Sequence, residues 1–266
     1  MGRTFAIGDV HGELDHLLRL LTSFPPLTGE DSLVFVGDYL DRGPHPELVV
    51  RFLRRDLPQT VPARVVLLRG NHEDAWLRVR REGWPGFVIP PRNGCFQTLR
   101  SFTGGAVPRK KEEPSRDEYL AMLKAGFFPA ELLAWMEGLP FFHEDEHAIY
   151  VHAGLPKLGD GWVHPAKLAD PRPLLWLRDA DFFRNYRGKR VVFGHTATIV
   201  LPQELSSFTP EDPTDLFAGE NVIGIDTRCG HGGFLSAIEL PSLQVYESRE
   251  PGAPPAPVED DDATPS

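Results

Sequence analysis

Five short apolar runs in this chain end in the same way, and that repetition limits the fold more than any other feature of the sequence. Thr4-Phe5-Ala6-Ile7 leads into Gly8-Asp9-Val10-His11-Gly12. Ser32-Leu33-Val34-Phe35-Val36 leads into Gly37-Asp38-Tyr39-Leu40-Asp41-Arg42-Gly43, and Arg64-Val65-Val66-Leu67-Leu68 leads, through Arg69, into Gly70-Asn71-His72-Glu73. Further on, Ala148-Ile149-Tyr150-Val151 runs into His152-Ala153-Gly154, and Arg190-Val191-Val192-Phe193 into Gly194-His195-Thr196. Each run has the length and β-branched content of a buried strand and stops at a glycine-flanked Asp, Asn or His. Strand ends along one edge of an α/β sheet are where such folds gather their sites. The repetition therefore predicts a metal site assembled from strand ends.

The first eighty residues read as β-α-β-α-β. Strands are expected at about 3–8, 32–37 and 64–69, with helices through Leu14, Leu17, Leu18 and Leu21, through Leu48, Val49, Phe52 and Leu53, and from His72 onward. Residues 83–116, rich in Gly and Pro and carrying the basic run Arg109-Lys110-Lys111, read as irregular, with that run as a solvated loop. Helical patterns follow at about 116–125 and 129–137. Apolar runs at 147–152, 189–194, 221–226, 233–240 and 242–247 are expected to form a second sheet. The expected organisation is one folded domain over 1–250, followed by a disordered Pro-rich acidic tail over 251–266.

Composition narrows the class. With 28 basic and 38 acidic residues the net charge is −10, which argues against a binder of nucleic acid polymers. Two distant cysteines, Cys95 and Cys229, offer neither a disulfide framework nor a thiolate zinc site and fit a reducing compartment. Asp9 and His11 interrupt the first apolar run, and no stretch reaches membrane-spanning length, so a soluble cytoplasmic protein without a membrane partner is expected.

If the strand ends converge, they bring together Asp9, His11, Asp38, Asn71, His152 and His195. Three imidazoles, two carboxylates and an amide suit two first-row divalent ions, Mn²⁺ in particular, with Fe or Zn as alternatives; the set is too rich in nitrogen for Ca²⁺ or a Mg²⁺ pair. Asp38, in the middle of the set, is the natural bridging carboxylate. Two such ions about 3.5–4 Å apart can activate a shared water and clamp the oxygens of a phosphoryl group. Arg42, four residues after Asp38, presents a fork that fits phosphate. His72, next to Asn71, is placed to protonate a leaving oxygen, and Asp41 to hold its ring.

GDVHG, GDYLDRG and GNHE, followed by His152 and Gly194-His195, resemble the PPP family of phosphatases within the calcineurin-like metallophosphoesterases, and the likeness spans residues 5–240. The resemblance implies an α/β fold, a central β-sandwich of two mixed sheets flanked by helices. It implies that Asp9, His11 and Asp38 bind one metal, and Asp38, Asn71, His152 and His195 the other. It further implies His72 as general acid oriented by Asp41, and Arg42 as a phosphate ligand. A second phosphate-binding arginine is usual in the family; Leu174-Leu175-Trp176-Leu177-Arg178 resembles the segment that carries it and nominates Arg178, although Arg172 and Arg184 lie close by. Gly194-His195-Thr196-Ala197 lacks the second histidine of the Gly-His-x-His motif, which favours the PPP branch over phosphodiesterases. Where similar bacterial proteins read Asp-Thr-Gly, this chain reads Asp226-Thr227-Arg228, and His231 follows. A cation at Arg228 facing the site would suit a substrate with more than one phosphate.

The main functional expectation is a metal-dependent phosphatase of phosphoproteins, acting on Ser, Thr or Tyr esters by direct attack of activated water. The alternative is a symmetrical bis(5'-nucleosyl)-tetraphosphatase that cleaves Ap4A to two ADP, which shares every core motif. A base-stacking aromatic, Trp84 or Phe87, near a cationic cluster would favour the nucleotide. A scaffold on an inactive fold is disfavoured by the complete ligand set, and a P-loop protein by the absence of GxxxxGK[ST].

Overall fold

Alternation along the first three strands decides which layer each residue enters. The computed structural model describes residues 2–208 and 212–250, so the expected tail at 251–266 lies outside the described residues. In strands Thr4–Ile7 and Ser32–Phe35, the side chains of Phe5, Ile7, Leu33 and Phe35 enter one core with the helices, while Ala6 and Val34 enter a second core. That second core also takes Tyr150, Val192 and Ile223, so it lies between two sheets. With both faces covered, these strands read as continuous apolar runs rather than alternating ones.

The first sheet has the order Val245–Glu247, Ser236–Leu240, Thr4–Ile7, Ser32–Phe35, Arg64–Leu67, with the last three strands parallel and the first two pairings antiparallel. The second has the order Phe142–Glu144, Ile149–Val151, Val191–Phe193, Val222–Gly224, Phe217–Ala218, parallel through its three central strands. Two of the five runs expected in the second sheet, Ser236–Leu240 and Val245–Glu247, thus belong to the first. Ser236–Leu240 returns antiparallel to Thr4–Ile7 and closes the edge that this strand would otherwise expose. Helices cover the outer faces: Leu14–Ser23 and Asn71–Glu82 on one side, Ala180–Asn185 on the other. On the first of these helices Leu17 and Leu20 are fully buried, whereas Leu18 is 40% exposed and does not share the inner face expected of it.

The segment expected to be irregular, 83–116, contains the helices Pro85–Val88 and Cys95–Thr103. Cys95, Phe96 and Leu99 enter the core, and Gly94 and Gly104 lie left-handed at the two ends of the second helix. The glycines that read as loop signals are caps. No helix among the described residues is long and apolar enough to cross a membrane.

Asp31 ties residue 3 to the turn before the second strand. Its carboxylate accepts Arg3 N at 2.9 Å, Arg3 Nη2 at 2.7 Å and Thr28 N at 2.8 Å. The Arg3 guanidinium holds this carboxyl below its ordinary value of 3.8. Asp31→Asn is expected to lower the unfolding free energy at neutral pH by about 1.5–3 kcal/mol, the range for hydrogen bonds to a charged group. A carboxylate whose folded pKa is depressed stabilises above its unfolded pKa and loses that contribution as the pH falls through the folded one. Urea midpoints of the two proteins should therefore converge on acidification below about pH 4.

Candidate active site

The parallel strands of both sheets point their C-terminal ends at one place, and the loops that leave them interlock through the main chain. The Asp38 carbonyl accepts Val10 N at 3.0 Å and His11 N at 2.8 Å, joining the first loop to the second. Asp38 Oδ1 accepts His72 N at 3.0 Å, joining the second to the third. Asp9 Oδ2 accepts His195 N at 2.9 Å, which links the two sheets. A Cβ on Gly70 would lie 2.1 Å from Asp38 Oδ1, and one on Gly194 2.0 Å from Asp9 Oδ1, so these approaches require glycine.

All six expected ligands are buried and converge. His11, Asp38 and His72 offer donor atoms that lie within 4.8 Å of one another, as do Asp38, His152 and His195. Asp38 belongs to both groups, the position expected of a bridge. Asn71 Oδ1 lies 2.8 Å from His152 Nε2 and 2.9 Å from His195 Nδ1.

The protonation of the rings shows what this arrangement is built for. His11 Nδ1 lies 2.9 Å from the Leu40 carbonyl, and His152 Nδ1 3.0 Å from the Val36 carbonyl. A carbonyl only accepts, so each ring keeps its proton on Nδ1. Burial pushes the pKa of His11 well below its ordinary value and lowers that of His152, so each ring is neutral and turns a bare Nε2 lone pair to the centre. The His152 lone pair faces Asn71 Oδ1 and, at 3.5 Å, Asp38 Oδ1; the His11 lone pair faces Asp38 Oδ2 at 3.5 Å. Acceptors that face acceptors need a cation between them. Asp9 Oδ1 and His195 Nε2 are buried without a hydrogen-bond partner. Burial, and then the Asp226 and Asp38 carboxylates, push the pKa of Asp9 well up, a repulsion that bound cations would relieve. The donor set fits divalent metal ions, with the ring N–H groups anchored on carbonyls as metal-binding histidines usually are.

His72 and Asp41 form a buried pair, with His72 Nδ1 donating to Asp41 Oδ2 at 2.7 Å. His72 Nε2 is thereby turned to the centre, 3.8 Å from Asp38 Oδ2. Two further residues complete Asp41. Trp76 Nε1 donates to its two oxygens at 2.9 and 3.0 Å, and Thr98 Oγ1 donates to Oδ1 at 2.5 Å while accepting Asp41 N at 2.9 Å. Neither was legible locally, since they stand 35 and 57 residues from Asp41. Glu73 is also part of the frame: its buried carboxylate accepts the N–H groups of Asp38, Tyr39, Leu40 and Gly70 at 2.9–3.2 Å. Asp226, buried beside Asp9, ends a sixth apolar run and could have been found by the signal that found the other five.

The arginines differ in placement. Arg42 is half-buried, with φ +68° and a buried Nε that has no hydrogen-bond partner. Arg178 is exposed, and its Nη2 donates to the His195 carbonyl at 3.4 Å. The neighbours that competed for its role are ion-paired elsewhere, Arg172 with Asp170 at 2.6 Å and Arg184 with Glu204 at 2.5 Å. Arg228 is buried, at φ +66°, and its main-chain N–H donates to Asp226 Oδ1 at 2.9 Å. His231, three residues on, lies with its ring 6.5 Å from that of His11; burial and the Arg42 charge lower its pKa to about 3. The expected stacking aromatics are unsuited to that role. Phe87 is buried, and Trp84 is covered by the stacked Phe87 ring at 5.7 Å and by the Arg78 guanidinium at 4.1 Å. The half-buried Trp176 lies 6.2 Å from His195, and the buried Phe87 5.4 Å from His72.

Thr98→Val keeps the shape of the side chain but removes one donor and one acceptor from Asp41. It is expected to cost about 1.5–3 kcal/mol in denaturant unfolding, with Thr98→Ser recovering most of the loss.

The calcineurin-like phosphoesterase model matches residues 2–198 of the chain. The symmetrical bis(5'-nucleosyl)-tetraphosphatase of Methylococcus capsulatus is 32% identical over 182 residues, covering 67% of this chain and 52% of that protein. The protein of that name from Methylobacillus flagellatus is 29% identical over 154 residues, covering 57% and 43%. The chain spans about half the length of these curated relatives. Among solved structures, a candidate diadenosine tetraphosphatase superposes with a TM-score of 0.56 at 22% identity, covering 92% of both chains, a likeness of fold. The family match runs through the first three strand-end loops, His152 and His195, and with a two-sheet fold beneath a metal-shaped centre it places the chain in the calcineurin-like phosphoesterase family.

Proposed function

We propose that this phosphoesterase hydrolyses dinucleoside polyphosphates such as Ap4A at a centre holding two divalent ions, with Mn²⁺ the metal expected. In this reading Asp9, His11 and Asp38 hold one ion, and Asp38, Asn71, His152 and His195 the other. The observation that carries hydrolysis is the His72–Asp41 pair turned toward a buried cluster whose lone pairs face one another. The nucleotide is supported by the relatives named symmetrical tetraphosphatases, by the two arginines at the centre, and by Trp176 beside His195. The phosphoprotein expected from the motifs has narrower support, a 38% identity over 66 residues, 25% of this chain, to the serine/threonine-protein phosphatase PP1-1 of Saccharomyces cerevisiae.

When bound, the ions supply Lewis acidity to the phosphoryl oxygens and acidify water. The chain does the rest. Arg42 and Arg178 offer guanidinium forks to the phosphate oxygens, and Arg228 adds positive charge near His231. His72, its Nδ1 proton directed to Asp41, holds a second proton on Nε2 for the departing oxygen. Buried Asp41 keeps that ring in place because three donors, His72, Trp76 and Thr98, occupy its oxygens.

With Mn²⁺ supplied and chelated enzyme as the blank, kcat/KM for Ap4A is expected to exceed those for a phosphoserine peptide and an aryl phosphate by at least about tenfold, with ADP as the product. A peptide preferred by that margin would assign the protein substrate instead. His72→Asn is expected to lower kcat on an alkyl phosphate by about 10²–10⁴-fold, the usual contribution of a general acid. Aryl phosphate and Ap4A, whose leaving groups need less protonation, should lose less. Equal losses on all three would show that His72 has another role.

A further inference from the structure

Beside Arg178 the surface opens into a cavity of about 470 Å³ whose other lining residues have no part in the centre described above. Its lining includes Arg178 and Thr196, both of which adjoin His195. Buried Phe183 and Leu201 and exposed Ala180 line it, together with the Arg184–Glu204 ion pair. Val200, 54% exposed, leaves apolar surface in its wall. Thr196 is 4% exposed, and its Oγ1 is buried with no hydrogen-bond partner. A buried hydroxyl without a partner is costly unless something supplies one.

We infer that this cavity holds a nucleoside of the substrate, with the polyphosphate crossing Arg178 to the metal centre and Thr196 Oγ1 hydrogen-bonding the sugar or the adjoining phosphate. The inference rests on the nucleotide reading above and locates one end of that substrate. The volume lies within the range of small-ligand sites, and an apolar lining with a few convergent polar groups is what a base and ribose require. The Arg178 cation lies beside His195, where the phosphates would pass, and Phe183, Val200 and Leu201 supply apolar lining.

The test separates nucleoside from phosphate. Binding of ADP and of pyrophosphate to the Mn²⁺-loaded protein is measured by calorimetry for the wild type, Ala180→Trp and Thr196→Val. Ala180 is exposed at the start of its helix, so tryptophan there fills the cavity without entering the core. ADP affinity is expected to fall at least about tenfold in Ala180→Trp and roughly threefold to tenfold in Thr196→Val. Pyrophosphate, which has no nucleoside, should stay within about twofold in Ala180→Trp. Unchanged ADP affinity in both variants, or parallel losses for ADP and pyrophosphate in Ala180→Trp, would overturn the assignment. So would a variant that weakens only a phosphopeptide. Failure of the wild type to hydrolyse Ap4A would instead end the substrate reading, and the ADP and pyrophosphate titrations would still decide what the cavity holds.

Discussion

The Glu73 carboxylate holds the catalytic loops in register. It is completely buried and accepts four main-chain N–H groups, three from the loop after the second strand and one from Gly70 in the loop after the third. Asp38, whose N–H is one of the four, passes the constraint on: its carbonyl takes the N–H groups of Val10 and His11, and its side chain takes that of His72. One anion thereby sets the positions of three loops. Burial and the Asp38 carboxylate push Glu73 up to about 7, against the pull of the N–H groups that favour its ionised form. Cations in the adjoining centre would tip that balance toward the carboxylate, so metal binding and loop order support each other.

A centre of this kind is costly to build, and the cost is visible in the backbone. Among the described residues, six of the nine non-glycine positions with positive φ are His11, Asp38, Asp41, Arg42, His195 and Arg228. Left-handed backbone at non-glycine residues is uncommon and persists where the surroundings over-determine it. Here the surroundings are two sheets packed face to face, whose shared core of Ala6, Val34, Tyr150, Val192 and Ile223 holds the strand ends together. Burial keeps the His11, His152 and His195 rings neutral and raises Asp9 and Asp226, so the site is set up to gain from bound cations. The polar frame and the apolar core thus serve one end, a rigid cluster of lone pairs.

Around that cluster the molecule changes character. On the outer side of the second sheet, the helix Ala180–Asn185 and the turns after His195 leave a partly apolar hollow reached past Arg178. The aromatics expected to stack on a base, Trp84 and Phe87, instead pack on each other and on Arg78 as part of the wall. In the proposed nucleotide reading, recognition would fall to Trp176 and to the surface beyond Arg178.

The candidate ligands were legible because metal chemistry at strand ends leaves a local mark: an apolar run, a glycine that permits close approach, and a side chain with a lone pair. Asp9, His11, Asp38, Asn71, His152 and His195 all carry that mark, and so does Asp226. Sheet membership was not legible for Ser236–Leu240 and Val245–Glu247, because strands buried on both faces have the same apolar character in either sheet and only pairing across the chain assigns them. The helix Cys95–Thr103 was hidden by the glycines that cap it, which read as loop signals until the burial of Phe96 and Leu99 is known. Thr98 and Trp76 meet Asp41 across 57 and 35 residues, and no periodicity encodes such a contact. The sequence by itself determined which atoms could bind metal, because short-range spacing and residue chemistry suffice for that. The tertiary structure alone decided which groups hold Asp41, which face Arg178 presents and where the cavity lies, because those follow from the packing of two sheets and their helices.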